Sequence, residues 1–253
     1  MVKPLPSPPL EGRENRELII VNCELVHIIM PVKDAVEMAE QAIRSIVDSG
    51  RKLTVYDDYS TPETVERLDT LKQELGIEVV HIREHFDHPS PNYRWVLIDA
   101  QRRCLEAGEH LVIVESDVLV RPDTIDSLLV NATEGTGLIA AVTCDEDGKI
   151  NFPYEYARRI AKDGVCTKRL SFCCTLLTKA FLQAYDFKLL DPKKDWYDVH
   201  ISRVSRQMGF ENKLIVSHPV LHQPHSSRPW KRLKYTNPLL YYWRKLTQRR
   251  DKI

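Results

Sequence analysis

Glycine is scarce in this 253-residue chain, at 9 residues, about half the usual ~7%. That shortage excludes the glycine cradles that commonly hold phosphates. Gly135 and Gly137 would need a third glycine where Ala140 stands, so no Gly-x-Gly-x-x-Gly fingerprint exists. Gly148-Lys149 has Thr143 where a Walker loop would begin, so that loop is absent too. The six cysteines, Cys23, Cys104, Cys144, Cys166, Cys173 and Cys174, form no Cys-x-x-Cys pair, which argues against a zinc knuckle. They read as reduced core thiols. No apolar run approaches the ~20 residues of a membrane span. Residues 1–10 contain no signal-type apolar stretch, so a cytoplasmic protein is expected. Net charge is also missing: 36 basic residues meet 36 acidic ones. Nucleic acid is therefore not an expected partner.

The chain does contain ample apolar sequence, 43% of residues, arranged in alternating short runs. Residues 1–16, with Pro4, Pro6, Pro8 and Pro9, read as an extended lead-in. The spacing then predicts strands at 24–30, 52–56, 77–82, 110–114 and 138–142. Pro31 is expected to close the first strand, and Asp34 to cap a helix ending near Gly50. Thr61-Pro62-Glu63 is a strong helix start and Gly76 a stop; Gly108 ends a helix over 94–107 and Pro122 opens another. Strands alternating with helices predict an α/β fold with a mainly parallel central sheet and flanking helices. Ligands in such sheets bind beyond the carboxyl ends of the strands.

Acids stand at those ends. The second strand runs into Asp57-Asp58, and the fourth into Glu115-Ser116-Asp117. Residues two apart on extended chain project to the same side. Two carboxylates so placed suit a hard divalent cation, Mn²⁺ or Mg²⁺, that neutralises a diphosphate. A solvated turn or a helix cap would leave the same trace.

The order of these motifs resembles the family 2 glycosyltransferases. Ile28-Ile-Met-Pro-Val-Lys-Asp34, a helix, and Val55-Tyr-Asp-Asp-Tyr-Ser-Thr61 match their N-terminal half, and Glu115-x-Asp117 matches their D-x-D motif. Ser171–Phe181 is similar to the strand and helix that line their acceptor site. Trp196–Gly209 is similar to their E-D helix, and His222 follows at the family's spacing. The resemblance covers about residues 25–227. It implies a GT-A (Rossmann-like nucleotide-diphospho-sugar transferase) fold over 17–227 and a metal-dependent, inverting transfer of a sugar to a hydroxyl of a glycan or lipid-linked acceptor. The donor implied is a nucleoside-diphosphate sugar, with uridine the family's commonest base. It further implies Pro31, Asp57, Asp58 and Glu115 for the nucleotide, Asp117 and His222 for the metal, and Asp198 as general base. Tyr197 stands where the family has the Glu of its acidic pair, and Ala100 where it has an Asn; Asp195, one turn before the helix, could supply a second acid.

Other clusters read more plainly. His81, His85 and His88 fit no metal template, and Cys173-Cys174 lies in an apolar run of core-strand type. Residues 228–253 carry nine basic residues against one acid, net +8, which leaves 27 basic and 35 acidic residues, net −8, in 1–227. With Trp230, Tyr235, Tyr241, Tyr242 and Trp243, this tail suits an anionic membrane surface, or a helix docked by its aromatic side. Two rival functions follow. One is a nucleotidyltransferase, which would normally carry a glycine- and base-rich loop that Met30–Asp34 lacks. The other is a non-catalytic surface-binding protein that uses the tail.

Overall fold

The computed structural model describes residues 26–85, 87–194 and 196–223, together with Asn237, Leu239, Leu240, Tyr242 and Trp243. Cys23, Asp195, Trp230, Tyr235 and Tyr241 lie outside the described residues, as does the lead-in 1–16. The chain runs through Val26–Val32 (β1), Val36–Val47 (α1), Leu53–Asp57 (β2), Pro62–Leu75 (α2), Glu78–His81 (β3), Tyr93–Ala107 (α3) and His110–Val114 (β4). It continues through Val118–Leu119 (β5), Thr124–Val130 (α4), Thr136–Cys144 (β6), Gly164–Val165 (β7), Cys174–Leu177 (β8), Lys179–Ala184 (α5), Tyr197–Gln207 (α6) and Glu211–His222 (β9).

Among the described residues the strands form one sheet in the order β3-β2-β1-β4-β8-β6-β9-β5, with β7 also paired to β9. The βαβ half is parallel: β1 pairs with β2 and β4, and β2 with β3. β6 and β9 are parallel as well. β8 inserts antiparallel between β4 and β6, and β5 and β7 lie antiparallel to β9.

Side-chain alternation along the strands splits the core into two layers. Ile28 and Met30 face one cluster, with Ala39, Ala42, Ile43 and Ile46 of α1 and Leu68 and Leu71 of α2. Ile29 and Tyr56 face the other, with Val96, Leu97 and Ala100 of α3, Phe181 of α5 and Ile201 of α6. The α1 positions follow an i, i+3, i+4, i+7 stripe. Every residue of β2 and β6 is buried, as expected of strands covered on both sides.

Two local expectations are corrected. Pro31 does not close β1; it pairs with Tyr56 one residue before the strand ends. The ladder to β4 stops at Ile29, so Pro31 has a neighbour on one side, where a missing N–H is tolerated. Asp34 does not cap α1. It adopts φ 56°, and Ala35 at φ 52° precedes the helix. The Asp34 carboxylate instead accepts from the Thr61 N–H at 2.8 Å. By contrast, α2 starts after Thr61 with Pro62 in its first turn and stops at Gly76, φ 66°.

Gly137 of β6 marks a close approach. A Cβ there would lie 2.8 Å from Phe210 Cβ and would strike Ser205 Oγ of α6. Gly137→Ala is expected to cost about 1–3 kcal/mol by overpacking. At roughly 2–4 °C per kcal/mol for a chain of this size, calorimetry should show a lower Tm; an unchanged Tm would contradict this packing.

Candidate active site

The carboxyl ends of β2, β1 and β4 align, so the two acidic motifs face one crevice. Asp57 is level with Val32 of β1, and β4 lies on the other side of that strand. Two strand spacings, about 10 Å, therefore separate the Asp57 end from the Glu115 end.

Asp57 is fully buried. Its Oδ1 accepts from the Ser60 N–H at 2.9 Å, and its Oδ2 lies 3.0 Å from His81 Nδ1. The other nitrogen, His81 Nε2, is 3.0 Å from Asp69 Oδ1. Burial works against a charged ring, but the hydrogen bonds to Asp57 and Asp69 outweigh it and raise the His81 pKa. Asp58 is similarly engaged: Ser90 Oγ and the Asn92 N–H donate to Oδ2 at 2.7 and 2.9 Å, and Asn92 Nδ2 to Oδ1 at 2.7 Å. These two acids hold the loops 58–61 and 88–92 in place. Tyr59, which follows Asp58, adopts φ 58°, a costly backbone conformation that tertiary contacts must maintain. Lys33 Nζ donates to its carbonyl, and Arg83 lies 5.6 Å above its ring.

The second motif meets His222 directly. Val118 pairs with His222 in the β5–β9 ladder, and the Gln223 N–H donates to the Asp117 carbonyl. His222 Nε2 thereby comes within 3.3 Å of Asp117 Oδ2, and the Asp117 side chain is almost wholly buried. Glu115 approaches the same imidazole: ligand atoms of Glu115, Cys173 and His222 lie within 4.8 Å of one another. Two carboxylates and an imidazole suit a divalent cation such as Mn²⁺. Cys173 fits a supporting role better. Burial pushes its thiol pKa far above the ordinary value, with the Glu115 charge adding to it. The neutral thiol donates to Glu115 Oε2 at 3.2 Å. Cys173, buried as a core residue should be, thus also orients a site carboxylate, a contact with no sequence signal because it arises from β8 lying beside β4.

Asp198 sits in the first turn of α6, half-buried. Its Oδ2 accepts from Tyr154 OH at 2.6 Å and its Oδ1 from the Val199 N–H at 2.8 Å. Burial raises its pKa above the carboxylate norm; Tyr154 opposes the rise, and the charge of Glu115 adds to it. Tyr93 lies in the same field, its pKa raised well above the ordinary value by burial and by the charges of Glu115 and Asp198. Asp198 and Glu115 therefore lie near enough for their charges to interact. Tyr197 is buried, its ring 6.2 Å from that of Tyr93 and its hydroxyl bonded to the Asp191 carbonyl. Tyr154 belongs to none of the motifs above; the aromatic pattern Phe152-Pro-Tyr-Glu-Tyr156 is its only trace in the sequence.

The remaining histidines disperse. His85 packs on Trp95, and His88 Nδ1 lies 3.0 Å from Asn92 Oδ1. Arg94 donates to the carbonyls of Leu190 and Lys188, and Ala100 is buried in α3. Cys104, Cys144, Cys166, Cys173 and Cys174 are all buried free thiols. No helix among the described residues is long and apolar enough to cross a membrane. The basic residues of 228–253 lie outside the described residues. Asn237 Oδ1 accepts from the Leu240 N–H, and Leu239, Tyr242 and Trp243 are exposed.

The fold is similar to that of a mannosyltransferase from Pyrobaculum calidifontis solved with GDP-Man and Mn²⁺, at 16% identity and TM-score 0.58, over 90% of this chain and 65% of that one. It is also similar to glucosyl-3-phosphoglycerate synthase from Mycobacterium tuberculosis in complex with Mn²⁺, UDP and glucosyl-3-phosphoglycerate, at 15% identity and TM-score 0.57, over 90% and 81%. A third likeness is to GalNAc-T7 with UDP, GalNAc and Mn²⁺, at 12% identity and TM-score 0.56, over 80% and 44%. At such identities the likeness is one of fold, and this chain spans less than two thirds of the mannosyltransferase and of GalNAc-T7. No curated protein sequence matches the chain significantly. The sequence matches Glycosyl transferase family 2 over residues 27–212, which take in both acidic motifs and the helix bearing Asp198. With that match over well more than half its length and a GT-A sheet beneath it, the chain belongs to glycosyl transferase family 2.

Proposed function

We propose that the protein is a metal-dependent, inverting glycosyltransferase that moves a hexosyl group from a nucleoside-diphosphate sugar, with uridine as its base, to a hydroxyl of a glycan or lipid-linked acceptor. One observation carries this reading: His222 brings Asp117 and Glu115 together, and the Glu115 charge is felt at Asp198, a carboxylate whose proton affinity is raised. Asp117, His222 and Glu115 would hold the cation, which supplies charge neutralisation for the leaving diphosphate. Pro31 and Asp58 border the nucleoside, and Asp57 acts through the loop it braces. Asp198 takes the proton of the acceptor hydroxyl as that oxygen bonds to the anomeric carbon and the bond to the diphosphate breaks. A single base facing away from the leaving group implies inversion.

The reading is tested by thermal unfolding with UDP or GDP, with and without Mn²⁺. A ligand at 100 times its Kd stabilises by about 2.7 kcal/mol, so a Mn²⁺-dependent rise in Tm is expected. No rise with any nucleoside diphosphate would sink the reading and favour a non-catalytic relative.

The +8 of residues 228–253 and the exposure of Leu239, Tyr242 and Trp243 support contact with an anionic lipid surface. Cosedimentation with vesicles containing phosphatidylserine should be lost on truncation after Ser227. Equal binding by the truncated chain would remove the tail from this role.

A further inference from the structure

We infer that the acceptor carries an anionic group, a carboxylate or a phosphate, and that Arg169 binds it beside the base. This rests on the reading of Asp198 as the general base. The Arg169 guanidinium carbon lies 4.4 Å above the centre of the Tyr154 ring, and the hydroxyl of that same ring donates to Asp198. A single tyrosine ring thus joins the cation to the base. Arg169 charge is felt at Asp198 and at Tyr154, although among the described residues no carboxylate lies within ion-pairing distance of it.

The backbone that carries Arg169 and the ring beneath its guanidinium are both held in place. Tyr154 stacks parallel on Tyr156, with 9° between the planes, and Tyr156 OH donates to the Arg169 carbonyl at 2.5 Å. The following residue, Leu170, is fully buried, and its N–H donates to Ser202 Oγ of α6, the helix that carries Asp198. The base and the backbone next to Arg169 are therefore anchored to one helix. An arginine already resting on an aromatic face, with no carboxylate partner among the described residues, keeps its planar donors for an incoming anion, which it can bind in bidentate fashion.

Charge distribution agrees. Residues 1–227 carry net −8, yet residues 155–169 hold five basic residues against two acids. A local positive stretch in an acidic body draws an anion toward the cleft. The donor diphosphate is the competing ligand for Arg169. The metal-ligand cluster of Glu115 and His222 already answers for that group, whereas Arg169 is tied to the base, where the acceptor must sit.

The test is isothermal titration of the full chain with two matched sets: glycerate against glycerol for the carboxylate, and glycerol 3-phosphate against glycerol for the phosphate. It is run with and without UDP and Mn²⁺. At least one anion is expected to bind at least tenfold more tightly than glycerol, and the set that does so identifies the group. Arg169→Met should weaken that binding tenfold or more, Arg169→Lys less, and both should leave UDP affinity with Mn²⁺ unchanged. The last measurement also shows that the variants fold. If neither anion outbinds glycerol, or if Arg169→Met weakens UDP instead, the inference falls. If wild-type protein does not bind UDP or GDP with Mn²⁺, it is the glycosyltransferase reading that fails.

Discussion

Asp198→Asn should lower kcat by about 10²–10⁴, the range typical of losing a positioned general base, while leaving nucleotide affinity with Mn²⁺ intact. Asparagine keeps the shape, and its one oxygen can still accept from the Val199 N–H while its amide N–H faces the Tyr154 hydroxyl oxygen, but it cannot take a proton. The pH profile gives the second readout. The base works only when ionised, so kcat/KM falls as pH drops through its pKa. That pKa is raised above 3.8, first by burial, so the acid limb should lie above the position of an ordinary carboxylate. Tyr154 donates to Asp198 and pulls its pKa down. Tyr154→Phe removes that donor, and the limb should move to higher pH. Turnover by Asp198→Asn close to that of the wild type would remove Asp198 from the chemistry. A limb that stays put in Tyr154→Phe would show that another group titrates.

Asp117→Ala should abolish Mn²⁺-dependent nucleotide binding, measured by titration calorimetry and by the Mn²⁺ electron paramagnetic resonance signal. Loss of an outer-shell partner costs roughly 10–100-fold in metal affinity, and loss of a carboxylate ligand should cost more. The side chain is almost wholly buried beside His222, and alanine offers the cation no oxygen in its place. His222→Ala should fall in the same direction by a smaller factor, since a neutral imidazole brings no charge to the cation. Cys173→Ser keeps a donor toward Glu115 and should leave Mn²⁺ affinity unchanged. A Mn²⁺ affinity in Asp117→Ala equal to that of the wild type would refute the assignment of the metal site.

Local sequence determined much of the scaffold. Thr61-Pro62-Glu63 and Gly76 bound α2 because proline fits the first turn and glycine accepts the left-handed exit. The apolar stripe of α1 and the alternation within β1 follow from 3.6- and 2-residue periods. The acidic motifs at the ends of β2 and β4 were visible because a strand end is a local event. The backbone at Asp34, Ala35 and Tyr59 was not, since their positive φ values are held by contacts such as Asp34 to Thr61 and Lys33 to Tyr59.

The site itself was decided by pairings distant in sequence. Asp117 meets His222 because β5 lies antiparallel to β9 with Val118 opposite His222; a slip of one residue would turn the imidazole to the other side of the sheet. Cys173 reaches Glu115 because β8 enters antiparallel beside β4. Tyr154 reaches Asp198, and Arg169 reaches Tyr154, because the segment between β6 and β8 folds back over α6. Sequence alone thus determined which acids stand at strand ends and which fold carries them. The tertiary structure decided their partners, because strand order and register are set by burial of the whole sheet and not by the residues on either side of a motif.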